Sequence, residues 1–360
     1  MDEPRDDTDR IEPTGASGSA PQQAPRRVIL VRPHRFSPNR QTTADNGFQR
    51  RAEGTPEAVQ AAAHAESTAL AEALCSVGVG VEVFEDLGHD TPDSVFPNNW
   101  FSTHQDGTLV LYPMCAPNRR AERRPDVVAH LRQSGRVEKV LDYSDSESHG
   151  EFLEGTGAMV LDHTAGIAYA CRSRRLSPRL FHRFCEDLGY TPVLFDAVDG
   201  SSRPVYHTNV LMSVGTGFAV IGSSMIADPA QRSRVLGTLR ETGRTVVDLT
   251  EEQIRRFAGN CLEVTGDDGK HLVLSATAEA SLTTEQRALL QHHCSLLSVD
   301  VSTIEAAGGS VRCMIAANHL QAQQPPQHWP PGAQSTLSVQ APSASTAMSE
   351  GPPWIGTEPS

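Results

Sequence analysis

The sequence predicts an α/β protein: a five-bladed, pseudo-symmetric propeller of ββαβ-type units closed around one central site. Two observations carry this expectation. One order of elements recurs along residues 26–320: an apolar strand with a polar end, a turn, a returning strand, a longer arm, a helix and a third strand. A chemically capable residue recurs at the same place in these units. Asp93 precedes Val95-Phe96-Pro97-Asn98-Asn99-Trp100-Phe101, Glu154 precedes Gly155-Thr156-Gly157-Ala158, His207 precedes Thr208-Asn209-Val210, and Cys313 follows Gly308-Gly309-Ser310-Val311-Arg312. The spacing of roughly 50 to 60 residues is that of a repeat architecture. A radial repeat leaves few open strand edges and gathers equivalent positions at one centre.

Each unit is read from its local signals. The first joins a strand over Val28–Val31, a helix over Pro56–Val77 and a strand over Val81–Phe84 with a C-terminal strand over Ser310–Ala316. The second runs Val95–Thr103, Leu109–Tyr112, a helix near Pro125–Gln133 and Val137–Leu141. In the third, Ala158–Leu161 and Ile167–Ala170 flank the turn Asp162-His163-Thr164-Ala165-Gly166. Ser177-Pro178 then reads as the cap and first position of a helix to Leu188, stopped by Gly189 before the strand Tyr190–Phe195. The fourth is Val210–Val214, Phe218–Ile221, a helix near Pro229–Thr242 and Thr245–Leu249. The fifth is Cys261–Val264, His271–Ser275, a helix from Thr284 to about His293 and Leu297–Val301. Residues 1–25 and 321–360 are rich in Pro, Gly, Ser and Gln, and such composition buries too little apolar surface to offset its ordering entropy. Both are expected to be disordered tails flanking one catalytic domain over residues 26–320.

Composition excludes several functions. The net charge is −13 and no Lys/Arg cluster could track a phosphate backbone, so nucleic acid and anionic membranes are not expected partners. No apolar run approaches the roughly 20 residues of a membrane span. The acidic start, Met1-Asp2-Glu3-Pro4-Arg5-Asp6-Asp7, lacks the apolar stretch of a secretory signal. Seven Cys at irregular positions, with no Cys-x-x-Cys, argue against a disulfide framework or a Cys-type zinc site and fit a reducing cytoplasm.

A Cys, a His and acids brought to one centre suit thiol-based hydrolysis. Cys313 is the candidate nucleophile because its glycine-rich approach lets backbone come close to a ligand. Cys75, Cys115, Cys171, Cys185, Cys261 and Cys294 sit in helix or strand patterns and read as core thiols. His207 is the candidate general acid and base. Asn209, two residues on, shares its side if the segment is a strand. Glu154 lies beside Gly155 and Gly157, which suit close backbone approach. Asp93 follows Thr91-Pro92, a turn signal.

These residues resemble the guanidine-modifying, amidinotransferase-like superfamily, whose fold is the five-bladed α/β propeller known as the pentein. Asp93-Ser94-Val95-Phe96 is similar to the substrate loop of dimethylarginine dimethylaminohydrolases. Arg32-Pro33, Asn39, Thr43, Asn46, Phe48-Gln49, Val95 to Trp100 and His207-Thr208-Asn209-Val210 resemble the citrulline-utilisation hydrolase branch, over roughly residues 27–320. The resemblance implies Cys313 as nucleophile, His207 as acid/base and Glu154 as the partner orienting His207 or the substrate nitrogens, with Asp93, Asn98, Asn99 and Asn209 binding substrate. It implies a small amino-acid substrate and no metal or organic cofactor; a homo-oligomer is left open. The chain departs from the usual pattern by carrying Asn99 and Asn209 where superfamily members often have acids. Carboxylates suit a guanidinium, whereas an Asn offers an acceptor and donors, which matches a neutral ureido group. L-Citrulline cleaved to L-ornithine, CO2 and ammonia is therefore the first expectation. Arginine deiminase, dimethylarginine hydrolase and amidinotransferase activities are the alternatives, with a catalytically silent binding protein as the non-enzyme alternative. Arg32, Asn39, Asn46, Arg172 and Arg203 are candidates to grip the substrate carboxylate.

Overall fold

The computed structural model describes residues 21–322 and the strand Ser338–Gln340. It is α/β, with five small sheets. Four are built alike, from three strands in chain order. They are β3 (Phe101–Thr103), β4 (Thr108–Leu111) and β5 (Lys139–Asp142); β6 (Met159–Asp162), β7 (Ile167–Cys171) and β8 (Thr191–Phe195); β9 (Met212–Val214), β10 (Phe218–Ile221) and β11 (Thr245–Asp248); and β12 (Leu262–Thr265), β13 (Lys270–Ser275) and β14 (Ser295–Val299). In each, the first two strands are antiparallel and the last two parallel. The remaining sheet joins the chain ends: β15 (Ala316–Asn318) runs antiparallel to β1 (Arg27–Pro33), which pairs in parallel with β2 (Gly80–Asp86). The strand β16 (Ser338–Gln340) adds in parallel to β2.

A parallel pair needs a crossover, and each sheet has one helix for it: Pro56–Ser76, Pro125–Ser134, Pro178–Leu188, Pro229–Glu241 and Thr284–Gln291. Four begin with proline at the first helical position, where no N–H is needed. Ser177 and Asp228 cap their helices, and Thr283 with Gln286 forms a capping box. The apolar core lies largely between neighbouring sheets. One cluster joins Ile29, Val31 and Ala316 to Trp100, Phe101 and Leu109; another joins Val110 and Tyr112 to Met159, Leu161 and Ala168. A third runs from Tyr169 through Met212 and Val220 to Leu272, and a fourth returns from Val264 and Val273 to Val28 and Leu30.

Two expectations are corrected. The catalytic candidates are not on strands: short helical turns, Gly155–Ala158, Thr208–Leu211 and Val311–Met314, with the 3-10 turn Pro97–Asn99, precede the inner strands. A short apolar run such as Val210–Met212 cannot be told from a helical turn by periodicity. Asn209 therefore does not share a face with His207 by strand alternation. The expected tail boundary also moves. Gln23 is buried and donates to Leu161 O and Val214 O, both at 2.9 Å, and Ala24 is buried too. Strand β16 likewise falls within the segment expected to be a tail. Residues 1–20, 323–337 and 341–360 lie outside the described residues.

Candidate active site

The helical turns bring the repeated residues together. Cys313, in the turn Val311–Met314, is buried, and its Sγ lies 3.3 Å from Asn209 Nδ2 and 3.3 Å from Asn260 Nδ2. Asn260 is braced by donating to Asn209 O (2.9 Å) and accepting from Arg312 N (3.1 Å). Two amide donors thus converge on the sulfur, as a thiolate needs. His207, at the start of Thr208–Leu211, places Nε2 2.8 Å from Glu154 Oε2, and Glu154 Oε1 accepts from Cys115 N at 2.9 Å. Gly157 makes room: a Cβ there would lie 2.2 Å from Asn99 Nδ2 and 2.8 Å from His207 Nδ1.

Charge is concentrated behind this wall. Burial opposes ionisation of Glu154, but Arg175, His207 and Arg119 overcome it and hold the carboxyl well below the usual range. An ionised Glu154 only accepts, so His207 Nε2 carries the proton and Nδ1 the lone pair. Burial pushes the His207 imidazole down to about 4 despite Glu154, so the ring is neutral near pH 7. Arg119 reaches Glu154 (3.7 Å), Glu122 (2.9 Å) and Asp93 (3.6 Å), and its Nη1 donates to Asn99 Oδ1 at 2.8 Å. Arg175 lies 3.5 Å from Glu154, is bidentate to Asp45, and sits over the Tyr206 ring at 4.7 Å. Asp93 accepts from Asn39 Nδ2 at 2.8 Å while its Oδ1 is buried without a partner. Burial raises the Asp93 carboxyl against the pull of Arg119.

A small cavity of about 10 Å³ lies over Cys313, bounded by Asp93, Asn99, Arg119, Arg175 and His207. Glu154, Asn98 and Asn209 stand behind its wall. Asn98 accepts from Asn99 Nδ2 at 3.0 Å, and its own Nδ2 is buried without a partner. Asn99 meets the cavity, but its oxygen accepts from Arg119 and one N–H donates to Asn98, so a single N–H remains to offer. Of the carboxylate-gripping candidates, Asn46 lines the cavity, and Asn39 holds Asp93. Arg32, Arg172 and Arg203 pair with Glu85, Asp196 and Asp199.

Arg119, Arg175 and Asn260 were not legible as site residues from their types alone. Asn260 had a signal. Glu154, His207, Asn260 and Cys313 follow one another at intervals of 53 residues, so the fifth unit carries its polar residue at the same place as the others.

Residues 32–320 match the family model described as N,N dimethylarginine dimethylhydrolase, eukaryotic. The chain belongs to this family. Its members are hydrolases acting on carbon–nitrogen bonds other than peptide bonds, within the pentein, amidinotransferase-like superfamily. Solved structures agree on the fold. The N-terminal domain of ArgZ bound to substrate, an arginine dihydrolase from the cyanobacterial ornithine-ammonia cycle, aligns with a TM-score of 0.62 at 16% identity, over 80% of this chain and 96% of that domain. AgrE in complex with ornithine and NAD+ aligns at 0.63 and 15%, over 84% of this chain but 40% of its own length. A mutant of DDAH from Pseudomonas aeruginosa, in a complex with citrulline, aligns at 0.56 and 14%, over 83% of this chain and 99% of that one. No curated protein sequence matches the chain. All seven cysteines are free, and among the described residues no helix is long and apolar enough to cross a membrane.

Proposed function

We propose that this protein is a Cys313-dependent hydrolase of a ureido amino acid, with L-citrulline the first substrate and ornithine, CO2 and ammonia the products. The observation that carries the choice is the pairing at the cavity wall: Arg119 and Arg175 occupy the carboxylates of Glu122, Glu154 and Asp45, which leaves Asp93 as the one acid that faces the cavity. A cationic guanidinium entering there would find only that one carboxylate, already engaged by Arg119 and Asn39, whereas a neutral ureido group needs no counter-ion. The free N–H of Asn99 suits a ureido oxygen.

In this reading His207 Nδ1 takes the Cys313 proton, and the thiolate attacks the ureido carbon. The amide groups of Asn209 and Asn260 steady the charged sulfur before attack, and donors at the cavity wall stabilise the developing oxyanion. The proton on His207 passes to the departing δ-amine, releasing ornithine and leaving a carbamoyl thioester. His207 then deprotonates water, and carbamate leaves and decomposes to CO2 and ammonia. Glu154 fixes the tautomer and stabilises the transient imidazolium. We also read the five sheets, linked by cores between successive neighbours, as the blades of one closed propeller with this site at its centre.

A second reading rests on two observations, the family match and the unpartnered Asp93 Oδ1. In it the substrate is arginine or an N-substituted arginine, and the covalent group is an amidino thioester. A catalytically silent binder fits less well, since it needs neither the paired amides at Cys313 nor the Glu154–His207 pair. Mass spectrometry of enzyme quenched in acid during turnover separates these. A carbamoyl group on the Cys313 peptide from citrulline supports the first reading. An amidino group from arginine or dimethylarginine, with no adduct from citrulline, supports the second and overturns the first.

A further inference from the structure

A second cavity, of about 40 Å³, lies where the inner strands of all five sheets meet. Thr103 of β3, Leu161 of β6, Ser213 of β9, Leu262 of β12 and Ala317 of β15 line it. Its polar lining includes Arg312, His163 and His319, beside Gln23, Ser102 and Ser213. Arg312 donates from Nη1 to Ile315 O at 2.9 Å and forms no ion pair among the described residues. The buried guanidinium groups Arg119, Arg175 and Arg244 each meet a carboxylate, whereas among the described residues the part-buried Arg312 meets none. Burial pulls Arg312 down to about 10, which leaves it charged at neutral pH. His163 and His319 lie ring to ring at 4.4 Å. Burial, with the positive neighbours around them, keeps both imidazoles neutral, so each carries one N–H; His163 Nδ1 lies 2.8 Å from the Tyr190 hydroxyl, and with that hydroxyl donating, the His163 N–H is on Nε2. The acids on the same strands are engaged elsewhere: Asp162 holds Arg244, Glu263 holds Thr216, and neither lines the cavity.

A part-buried cation with no carboxylate beside it gains from a counter-charge, and the polar cavity next to it is the place for one. We infer that this cavity binds one small monovalent anion, of the chloride or bicarbonate class, held by Arg312 with His163 and His319. The volume accommodates an anion of a few heavy atoms. The site is separate from the cavity over Cys313 and does not depend on which substrate is cleaved there.

The test is 35Cl NMR line broadening on the full chain. The net charge of −13 disfavours loose chloride at the surface, so specific binding stands out. Saturable broadening in the native protein, reduced at least fivefold in Arg312→Gln and largely kept in Arg312→Lys, is expected. The lysine variant keeps the charge, and circular dichroism confirms that both variants fold. Displacement by bicarbonate at lower concentration than by bromide would assign the site to the anion that ureido cleavage yields; the reverse order would assign it to ambient halide. Absence of saturable broadening in the native protein, or equal broadening in native protein and Arg312→Gln, would overturn the inference.

Discussion

At Cys313 the sulfur is met by two neutral amides, and each is a separable contribution. Removing one preorganised donor at a reacting centre costs about 10²-fold in rate. Asn260→Ala is therefore expected to lower kcat by about that factor with little change in KM, measured by steady-state kinetics; Cys313→Ala should abolish turnover. Gly157 has no room for a methyl group, so Gly157→Ala should displace Asn99 or His207 and remove most activity while the protein stays folded. Because burial holds His207 near 4, its base form is already populated at pH 5. The acid limb of kcat/KM contributed by His207 should fall near 4 rather than near the 6.5 of a free imidazole. Glu154, His207 and Cys313 stand out in the sequence because they recur at equivalent places in successive units, and the structure brings Glu154 and His207 into contact and lines one cavity with His207 and Cys313. Arg119 and Arg175 do not stand out. Arg119 stands among Arg120, Arg123 and Arg124, a run that reads as a solvated basic surface, and only the fold shows which of them turns inward.

Among the elements, the crossover helices lie almost where the sequence places them, and their starts carry their own chemistry. Pro178 with Ser177, Pro229 with Asp228 and the Thr283–Gln286 box each mark a start. Asp228 accepts from the N–H groups of Ala230 and Gln231, so Asp228→Ala should cost about 1 kcal/mol, measured by urea unfolding. The helical turns at the site were missed for the opposite reason. Thr208–Leu211 and Val311–Met314 span a single turn each, too short for a 3.6-residue period to show, and their apolar residues are buried whichever structure forms. A helical residue advances about 1.5 Å against about 3.3 Å in a strand, so each turn carries the chain less far than a strand of the same length would.

Across the whole molecule, the sequence conveyed the order of the five units but not what lies buried between them. His104 and His207 are held near 4 by burial, His319 near 3, and His163 well below its ordinary value. Each is neutral in the folded chain and takes a proton near 6.5 when unfolded. Between pH 6.5 and about 4 the unfolded state therefore binds more protons, and stability falls as pH falls; above 6.5 these groups contribute no slope. The slope is at most about 1.4 kcal/mol per pH unit for each group. His104→Phe should make the acid loss of stability shallower, as read by urea unfolding at pH 7, 6 and 5.

The cavity charge is the central claim, and it is tested most directly by the products formed from L-citrulline and L-arginine by purified native protein, with Cys313→Ala as control. Ornithine and ammonia from citrulline, absent in the control and with no turnover of arginine, is the expected result. Citrulline formed from arginine, with no ornithine from citrulline, would contradict it.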